Sequence, residues 1–307
     1  MAAKKKKADE LGGNLVELGN EEAWLKYRLS VISGTDAGVI ARTSKYQSRH
    51  GLWLKKTGRI VEDRTFPEDP HERYGPAYWG TVLEDDIRNT FVEDKGLKVV
   101  TDPEWSTRIH PDYDWMSGSL DGHVFDPDRG WGVFEAKTAG LWKEDEWSNG
   151  RIPKPYLVQV MHYMAVTGYT FAWFAVLIGG QKYKTFLIER IDSFIDALIK
   201  AEEDFHKHIV DDVPVEMDGH KEEADVLGKM FPVDDGATVE LPKEALEWDA
   251  KRLEAIEAER ASKELRAQSE NKIKDCIGDA AYGVLPDGVG RYSWKGKNRR
   301  LLRQEIK

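Results

Sequence analysis

Trp115-Met-Ser-Gly-Ser-Leu-Asp-Gly122, followed by Val133-Phe-Glu-Ala-Lys137, is the part of the sequence whose reading decides the fold. In an extended chain successive side chains point to opposite faces, so Val133, Glu135 and Lys137 share one face while Phe134 and Ala136 share the other. A carboxylate and an ammonium therefore stand side by side. Asp121 closes the preceding run, just ahead of Gly122 and the short run His123-Val124-Phe125. The turn signal Asp126-Pro-Asp-Arg-Gly130 then predicts a hairpin that brings the Asp121 carboxylate beside Glu135.

Two neighbouring carboxylates are hard oxygen ligands for Mg²⁺ or Mn²⁺, ions that keep several waters and take further ligands from a substrate phosphate. Lys137 beside them is placed to hold an attacking water or to offset developing charge. The reaction these residue types imply is phosphodiester hydrolysis. A bare Glu-x-Lys on a strand also makes an ordinary exposed ion pair, and the Ser-Leu-Asp-Gly block upstream is what separates the two readings.

Composition bounds the rest. The 307 residues, 40% hydrophobic with eleven Trp, are enough for a sizeable core. No run approaches the roughly 18 apolar residues of a membrane span, and no secretory leader is evident, so a cytoplasmic protein without membrane contact is expected. Cys276 is the single cysteine, which excludes an intramolecular disulfide, a zinc ribbon and a four-cysteine iron-sulfur centre within one chain. The net charge of −10 argues against a protein that coats nucleic acid indiscriminately, and leaves room for a local basic groove.

Residues 1–20, with Lys4 to Lys7, read as a flexible basic tail. Asn20 is a plausible cap for a first helix carrying Trp24 and Tyr27, and Arg28 neighbours that stripe. Ser33-Gly-Thr-Asp36 precedes a second short helix, which one of Ser33, Thr35 and Asp36 is expected to cap. A third helix is expected over His50–Gly58, with Lys55, Lys56 and Arg59 gathered near its end. A charged loop from Val61 to Gly75 and a longer helix from Pro76 to about Glu93 come next. Leu83, Ile87 and Phe91 form the buried stripe of that last helix, with Glu84 at its edge. Short strands over 97–137 read as a β-meander, and 138–154 as a polar loop. Tyr156–Thr167 is a helix with Tyr156, Gln159 and Tyr163 on one face, at the polar edge of an amphipathic element. Thr170–Ile178, Gly179-Gly180 and Lys182–Glu189 form a hairpin whose first strand is buried on both faces. A helix follows over Ile191–Val210, near whose end His206 and His208 read as solvent-exposed. Residues 213–242 read as an acidic linker, and 243–275 as one long helix with a sparse stripe. A terminal hairpin and a basic cluster (Lys295, Lys297, Arg299, Arg300, Arg303) end the chain.

Five blocks taken in order resemble the motifs of the phage lambda exonuclease and YqaJ-like viral recombinase family, within the PD-(D/E)xK nucleases. They are Arg28 with Ser33-Gly-Thr-Asp36, Trp79-Gly-Thr-Val-Leu-Glu84, Ser119-Leu-Asp-Gly122, Glu135-Ala-Lys137 and Val158-Gln-Val-Met-His-Tyr163. Leu120 stands where the family commonly has proline. The resemblance implies an α/β fold of the restriction-endonuclease type, a mixed central sheet flanked by helices, over residues 21–212. A helical arm and hairpin at 243–307 would be appended to it. It implies that Asp121, Glu135 and Glu84 hold two Mg²⁺ ions, with Mn²⁺ as an alternative, that Lys137 and Gln159 complete the catalytic set, and that Arg28, Ser33 and Thr35 receive a 5′-phosphate. The activity implied is 5′-to-3′ digestion of one strand of linear duplex DNA. The implied partners are duplex ends, a single-strand annealing protein and further copies of the chain, trimeric rings being known in the family, with a phage or prophage origin. The alternatives are a restriction-like or repair endonuclease on the same core, or a non-catalytic protein that binds DNA ends as a scaffold.

Overall fold

The structure is a computed structural model that describes residues 10–60, 69–295 and 300–304. The Lys4–Lys7 run, residues 61–68 of the charged loop, and Lys297 and Arg299 of the basic cluster lie outside the described residues. The chain divides into two compact units, Met1–Val233 and Asp234–Lys307.

The first unit opens with an element expected to be tail. β1 (Asn14–Glu17) pairs antiparallel with Ser106–Ile109 and buries Val16. Helix α1 (Glu21–Leu29) starts where Asn20 caps it, its side chain accepting from Ala23 N at 2.9 Å. Helix α2 (Gly34–Ile40) begins with a capping box between Ser33 and Asp36, and α3 (Arg49–Lys56) is capped by Ser48. A single-turn helix α4 (Pro70–Arg73) lies in the region read as loop, and α5 (Pro76–Lys95) follows with Ile87 and Phe91 buried, as the four-residue repeat requires.

The predicted meander is split between two sheets. β2 (Lys98–Val100), β5 (Gly122–Asp126) and β6 (Gly130–Ala139) belong to a five-stranded sheet, whereas β3 (Ser106–Ile109) and β4 (Ser117–Gly118) join β1 in a small separate one. The large sheet is completed by β7 (Phe171–Ile178) and β8 (Lys182–Glu189), in the order β2-β5-β6-β7-β8. Only β6 and β7 run parallel, which requires a crossover, and α6 (Lys154–Thr167) supplies it. Along β6 the alternation holds: Val133 packs into the core with α6, while Phe134 and Ala136 pack with Ile87 and Phe91 of α5.

Four further readings are corrected. The segment after β6 forms a 3₁₀ helix, Leu141–Trp147, whose Trp147 is buried against Phe174 and Phe186. Helix α6 is no amphipathic surface helix, because every residue from Val158 to Thr167 is buried. The region 213–230 is no linker: helix α7 (Asp192–Val210) leads into α8 (Lys221–Met230), whose Glu223 meets His50 at 2.9 Å and whose Glu222 accepts from Ser48 N at 2.5 Å. Trp115 stacks on His206, and His206 and His208 are both half-buried instead of solvent-exposed.

The second unit holds the long helix α9 (Ala245–Ile277) and the expected hairpin, β9 (Tyr282–Val284) with β10 (Arg291–Lys295), which β11 (Arg300–Gln304) extends into a three-stranded sheet. Among the described residues no helix is long and apolar enough to cross a membrane.

Phe91 is fully buried, 4.9 Å from Phe134 and 5.6 Å from Trp173 between ring centroids. Phe91→Ala is expected to cost about 3–5 kcal/mol, read as a lower urea midpoint at unchanged slope.

Candidate active site

The β5–β6 register sets Gly122 opposite Phe134 and so places Asp121 beside Glu135. Asp121 Oδ2 accepts a hydrogen bond from Ala136 N at 2.9 Å. Glu135 is wholly buried, and the half-buried Lys137 donates to its Oε1. An exposed ion pair is thereby excluded. The Lys137 ammonium also lies 5.1 Å from the centre of the Tyr156 ring, so α6 packs over it. Glu84 reaches the same place from α5. One turn later Arg88 donates to Glu84 Oε1 at 3.4 Å and to the Asp121 carbonyl at 3.1 Å, tying the helix to the segment that carries Asp121.

Charge in this cluster is out of balance. Burial, reinforced by the Asp121 charge, pushes the Glu135 carboxyl up to about 8 against the opposing pull of Lys137. Burial and Asp121 push Glu84 up to about 7. Asp121 is itself raised by burial, with Lys137 opposing. Burial would lower Lys137, but Glu135 and Asp121 outweigh it and raise the ammonium. Glu135 Oε2 is buried with no hydrogen-bond partner. Carboxyls held so far up, one with an orphaned oxygen, form a donor set that lacks positive charge, and they fit a hard divalent cation. Among the described residues no three His, Cys, Asp or Glu side chains close into a ready-made cage. A Mg²⁺-like ion does not need one, since it completes its shell with water and phosphate oxygens.

The Arg28 block closes on the same cleft. Arg28 Nη2 donates to Ser33 Oγ at 3.3 Å and to Thr35 Oγ1 at 3.1 Å, with the guanidinium 4.7 Å over the Trp24 ring. The Ser33 amide is not free to meet a ligand, because it donates to Asp36 Oδ2 at 2.8 Å. Hydrogen bonds from Ile32 N to the Trp115 carbonyl and from Ser117 N to the Ile32 carbonyl clip this segment to the strand that leads to Asp121. A cleft of about 280 Å³ results, walled by Arg28, Ser33, Thr35, Glu84, Asp121 and Tyr163 among others. Gln159 stands behind it and donates to Tyr163 OH at 3.0 Å. All eight residues singled out in the sequence thus fall on one connected region, Glu84, Asp121, Glu135, Lys137 and Gln159 around the carboxylates and Arg28, Ser33 and Thr35 at the cleft's far end.

Four contributors do not announce themselves as site residues in the sequence. Arg88 carries a signal in hindsight, its i+4 spacing from Glu84. Lys56 reads in the sequence only as part of a basic group, yet it is buried beneath the Arg28 segment and donates to the Arg28 and Val31 carbonyls and to Asp36 Oδ2 at 2.7, 2.6 and 2.6 Å. The third is a pair of glycines, Gly34 and Gly118, where a Cβ would come within 2.4 or 2.8 Å of the Tyr163 ring. The fourth is a wholly buried pair, in which His162 meets Glu202 at 2.8 Å and donates to the Ser117 carbonyl at 2.8 Å, with no local pattern to mark it.

Comparison with known proteins bears on the family and the fold. The YqaJ-like viral recombinase domain matches residues 23–170, the stretch holding Arg28, Glu84, Asp121, Glu135, Lys137 and Gln159. The Bacillus subtilis (strain 168) protein YqaJ, itself uncharacterized, is 32% identical over 94% of this chain and 87% of its own length. The chain belongs to the YqaJ-like viral recombinase family. Its fold is that of the LHK-Exo structure solved with dAMP, at TM-score 0.50 and 20% identity over 68% of this chain and 97% of that one. A second structure of LHK-Exo, an alkaline exonuclease from Laribacter hongkongensis, aligns at TM-score 0.49 and 19% identity over 67% and 100% of the two chains.

The folded-state value of Glu135, about 8, lies above the ordinary 4.5, so the folded YqaJ-family chain holds that proton more tightly than the unfolded one. Stability contributed by this group is complete below about 4.5 and falls as pH rises to about 8. In EDTA, Tm should drop across that window, and Glu135→Gln should flatten the drop in a differential scanning series. An unchanged slope in the variant would contradict the assignment.

Proposed function

We propose that the chain is a metal-dependent deoxyribonuclease that digests one strand of linear duplex DNA from its 5′ end. The observation that carries this reading is the single cleft joining the Arg28, Ser33 and Thr35 cluster to Glu84 and Asp121. A planar guanidinium with two hydroxyls suits a terminal phosphate, and the carboxylates suit the scissile one. The alkaline exonuclease named among the structural relatives gives the fold a known nuclease example.

In this reading Asp121 and Glu135, with Glu84 at the cleft edge, hold Mg²⁺ or Mn²⁺, two ions by the family pattern. When bound, the ions polarise the phosphoryl oxygen and acidify water. Lys137, fixed by Glu135 and by the Tyr156 ring, orients the attacking water and meets the charge developing on phosphorus. Gln159 holds the Tyr163 hydroxyl in the wall of the cleft, and Tyr163 with Leu120 narrows it. Arg28 anchors the 5′ end and sets which bond lies over the carboxylates. The 3′ strand left behind would pass to a single-strand annealing protein, and a homo-oligomer, with a trimeric ring as the family form, would keep the enzyme on its substrate.

Linear duplex labelled at the 5′ or the 3′ end, incubated with Mg²⁺ beside a covalently closed circle, should lose the 5′ label first and leave the circle intact. Cutting of the circle would replace this reading with an endonuclease. Asp121→Ala and Glu135→Ala should each lower kcat on the order of 10³-fold at retained helicity. For Arg28→Ala the expected loss is roughly 10- to 100-fold on 5′-phosphorylated ends and little on 5′-hydroxyl ends. Equal losses on both would remove the phosphate pocket.

A further inference from the structure

The sheet of the second unit has two unlike sides. Across antiparallel strands, directly opposed residues share a face. Arg291 opposes Gln304, Lys295 opposes Arg300, and Ser293 opposes both Leu302 and Tyr282. One side therefore gathers Arg291, Lys295 and Arg300 around Tyr282 and Leu302, all of them exposed. The other side carries Gly283, Tyr292, Trp294 and Leu301, all half-buried, with the exposed Arg303 opposite Tyr292 at its edge, and Gly283 lies so close to Ile277 of α9 that a Cβ there would come within 2.7 Å. The sheet has spent its apolar side on its own helix and turned its cationic side to solvent.

That side is not neutralised from within. Residues 291–304 hold six Lys and Arg and no Asp or Glu, in a chain of net charge −10. Among the described residues no carboxylate forms an ion pair with Arg291, Lys295 or Arg300. Instead Arg291 and Lys295 stand over the Tyr282 ring, each 5.1 Å from its centre, and Lys295 donates to the Tyr282 hydroxyl at 2.8 Å. Ser293, small and buried between them, leaves room for the three long side chains. Cations held in place by an aromatic ring keep their charge available to an external polyanion.

We propose that this face binds single-stranded DNA. Arg291, Lys295 and Arg300 take phosphates of the backbone, while Tyr282 and Leu302 meet the faces of bases. The strand is unpaired because bases in a duplex are stacked on one another and offer nothing to an exposed ring or an aliphatic side chain. That the polyanion is DNA rests on the function proposed above; that the face binds an unpaired polynucleotide does not.

The test is fluorescence anisotropy of a labelled oligothymidylate of about 20 nucleotides, longer than the ~4–16-nucleotide footprint of one small sheet domain. It is titrated with the full chain in EDTA over a range of salt. In the triple variant Arg291→Gln, Lys295→Gln, Arg300→Gln, the slope of log K against log salt should shrink by about 2, at roughly 0.7 for each phosphate that is no longer neutralised. Tyr282→Ala should weaken binding roughly fivefold or more with the slope unchanged. Arg300→Gln alone, which leaves Arg291 and Lys295 over the Tyr282 ring, should lower the slope by about 0.7, the share of one phosphate, which guards against a misfolded triple variant. Wild-type slope and affinity in all three would overturn the proposal. An equal loss on a blunt duplex of the same length would overturn the single-strand assignment, and an equal loss on oligouridylate would make the ligand any unpaired polynucleotide. Loss of hydrolysis in Asp121→Ala is independent of every one of these results, so the two readings fail separately.

Discussion

The structure depends on keeping a carboxylate, Glu135, at zero exposure in the third strand of a five-stranded sheet. Taking such a group out of water costs several kcal/mol unless it is paired and hydrogen-bonded. Only one of its oxygens is satisfied, by Lys137, and the other has no partner. Everything around it compensates in part. Arg88 ties the helix that carries Glu84 to the Asp121 segment, the Ala136 amide fixes Asp121 from the strand itself, and α6 lays Tyr156 over the ammonium. The compensation stays incomplete, and the protein holds its carboxyls at raised values. An unpaired buried oxygen among raised carboxyls is what a bound cation would relieve.

Rigidity follows from where the parts sit. Glu135 and Lys137 project from a paired strand, Asp121 from the bend just before β5 and Glu84 from a 20-residue helix, and the Arg28 segment is pinned by a buried Lys56–Asp36 pair whose atoms lie 2.6 Å apart. In that pair burial works against both charges. For Asp36 the Lys56 charge and the Ser33 hydrogen bonds win, and its carboxyl falls below its ordinary value. Lys56 is instead lowered, since burial outweighs its carboxylate partner. Removing one member would strand the other, which makes the pair a better clamp than a source of stability. Its three hydrogen bonds end on the carbonyls of Arg28 and Val31 and on the cap of α2, the positions that aim the guanidinium.

What the sequence announced was whatever has a local period. The alternation of Val133, Glu135 and Lys137 against Phe134 and Ala136, the stripe of Leu83, Ile87 and Phe91, and the hairpin at Gly179-Gly180 each involve neighbours in the chain, and each stands in the structure. Errors came where the decisive partner is remote. β1 is a strand because Ser106–Ile109 offers it an edge about ninety residues on, and nothing in Asn14–Glu17 says so. Gln159 and Tyr163 looked like the polar edge of a surface helix, since a polar side chain on a buried element differs from one on an exposed element only in what packs against it. Lys56, Arg88 and the His162–Glu202 pair share that property: their meaning lies in contacts to carbonyls and carboxylates far along the chain.

The charge distribution makes sense on the same terms. A cluster of carboxylates able to gather divalent cations repels a polyanion until those cations arrive, so a nuclease of the proposed kind would depend on metal and on the Arg28 cradle to bring DNA to the first unit. Under that proposal, further strand contacts in a chain of net charge −10 call for a segment with few carboxylates of its own. Residues 291–304, with six cations and no acids, are such a segment. Beside carboxylates a cation is drawn into pairing, as Lys137 is with Glu135 and Arg88 with Glu84, whereas a cation without an acidic partner keeps its charge for a phosphate.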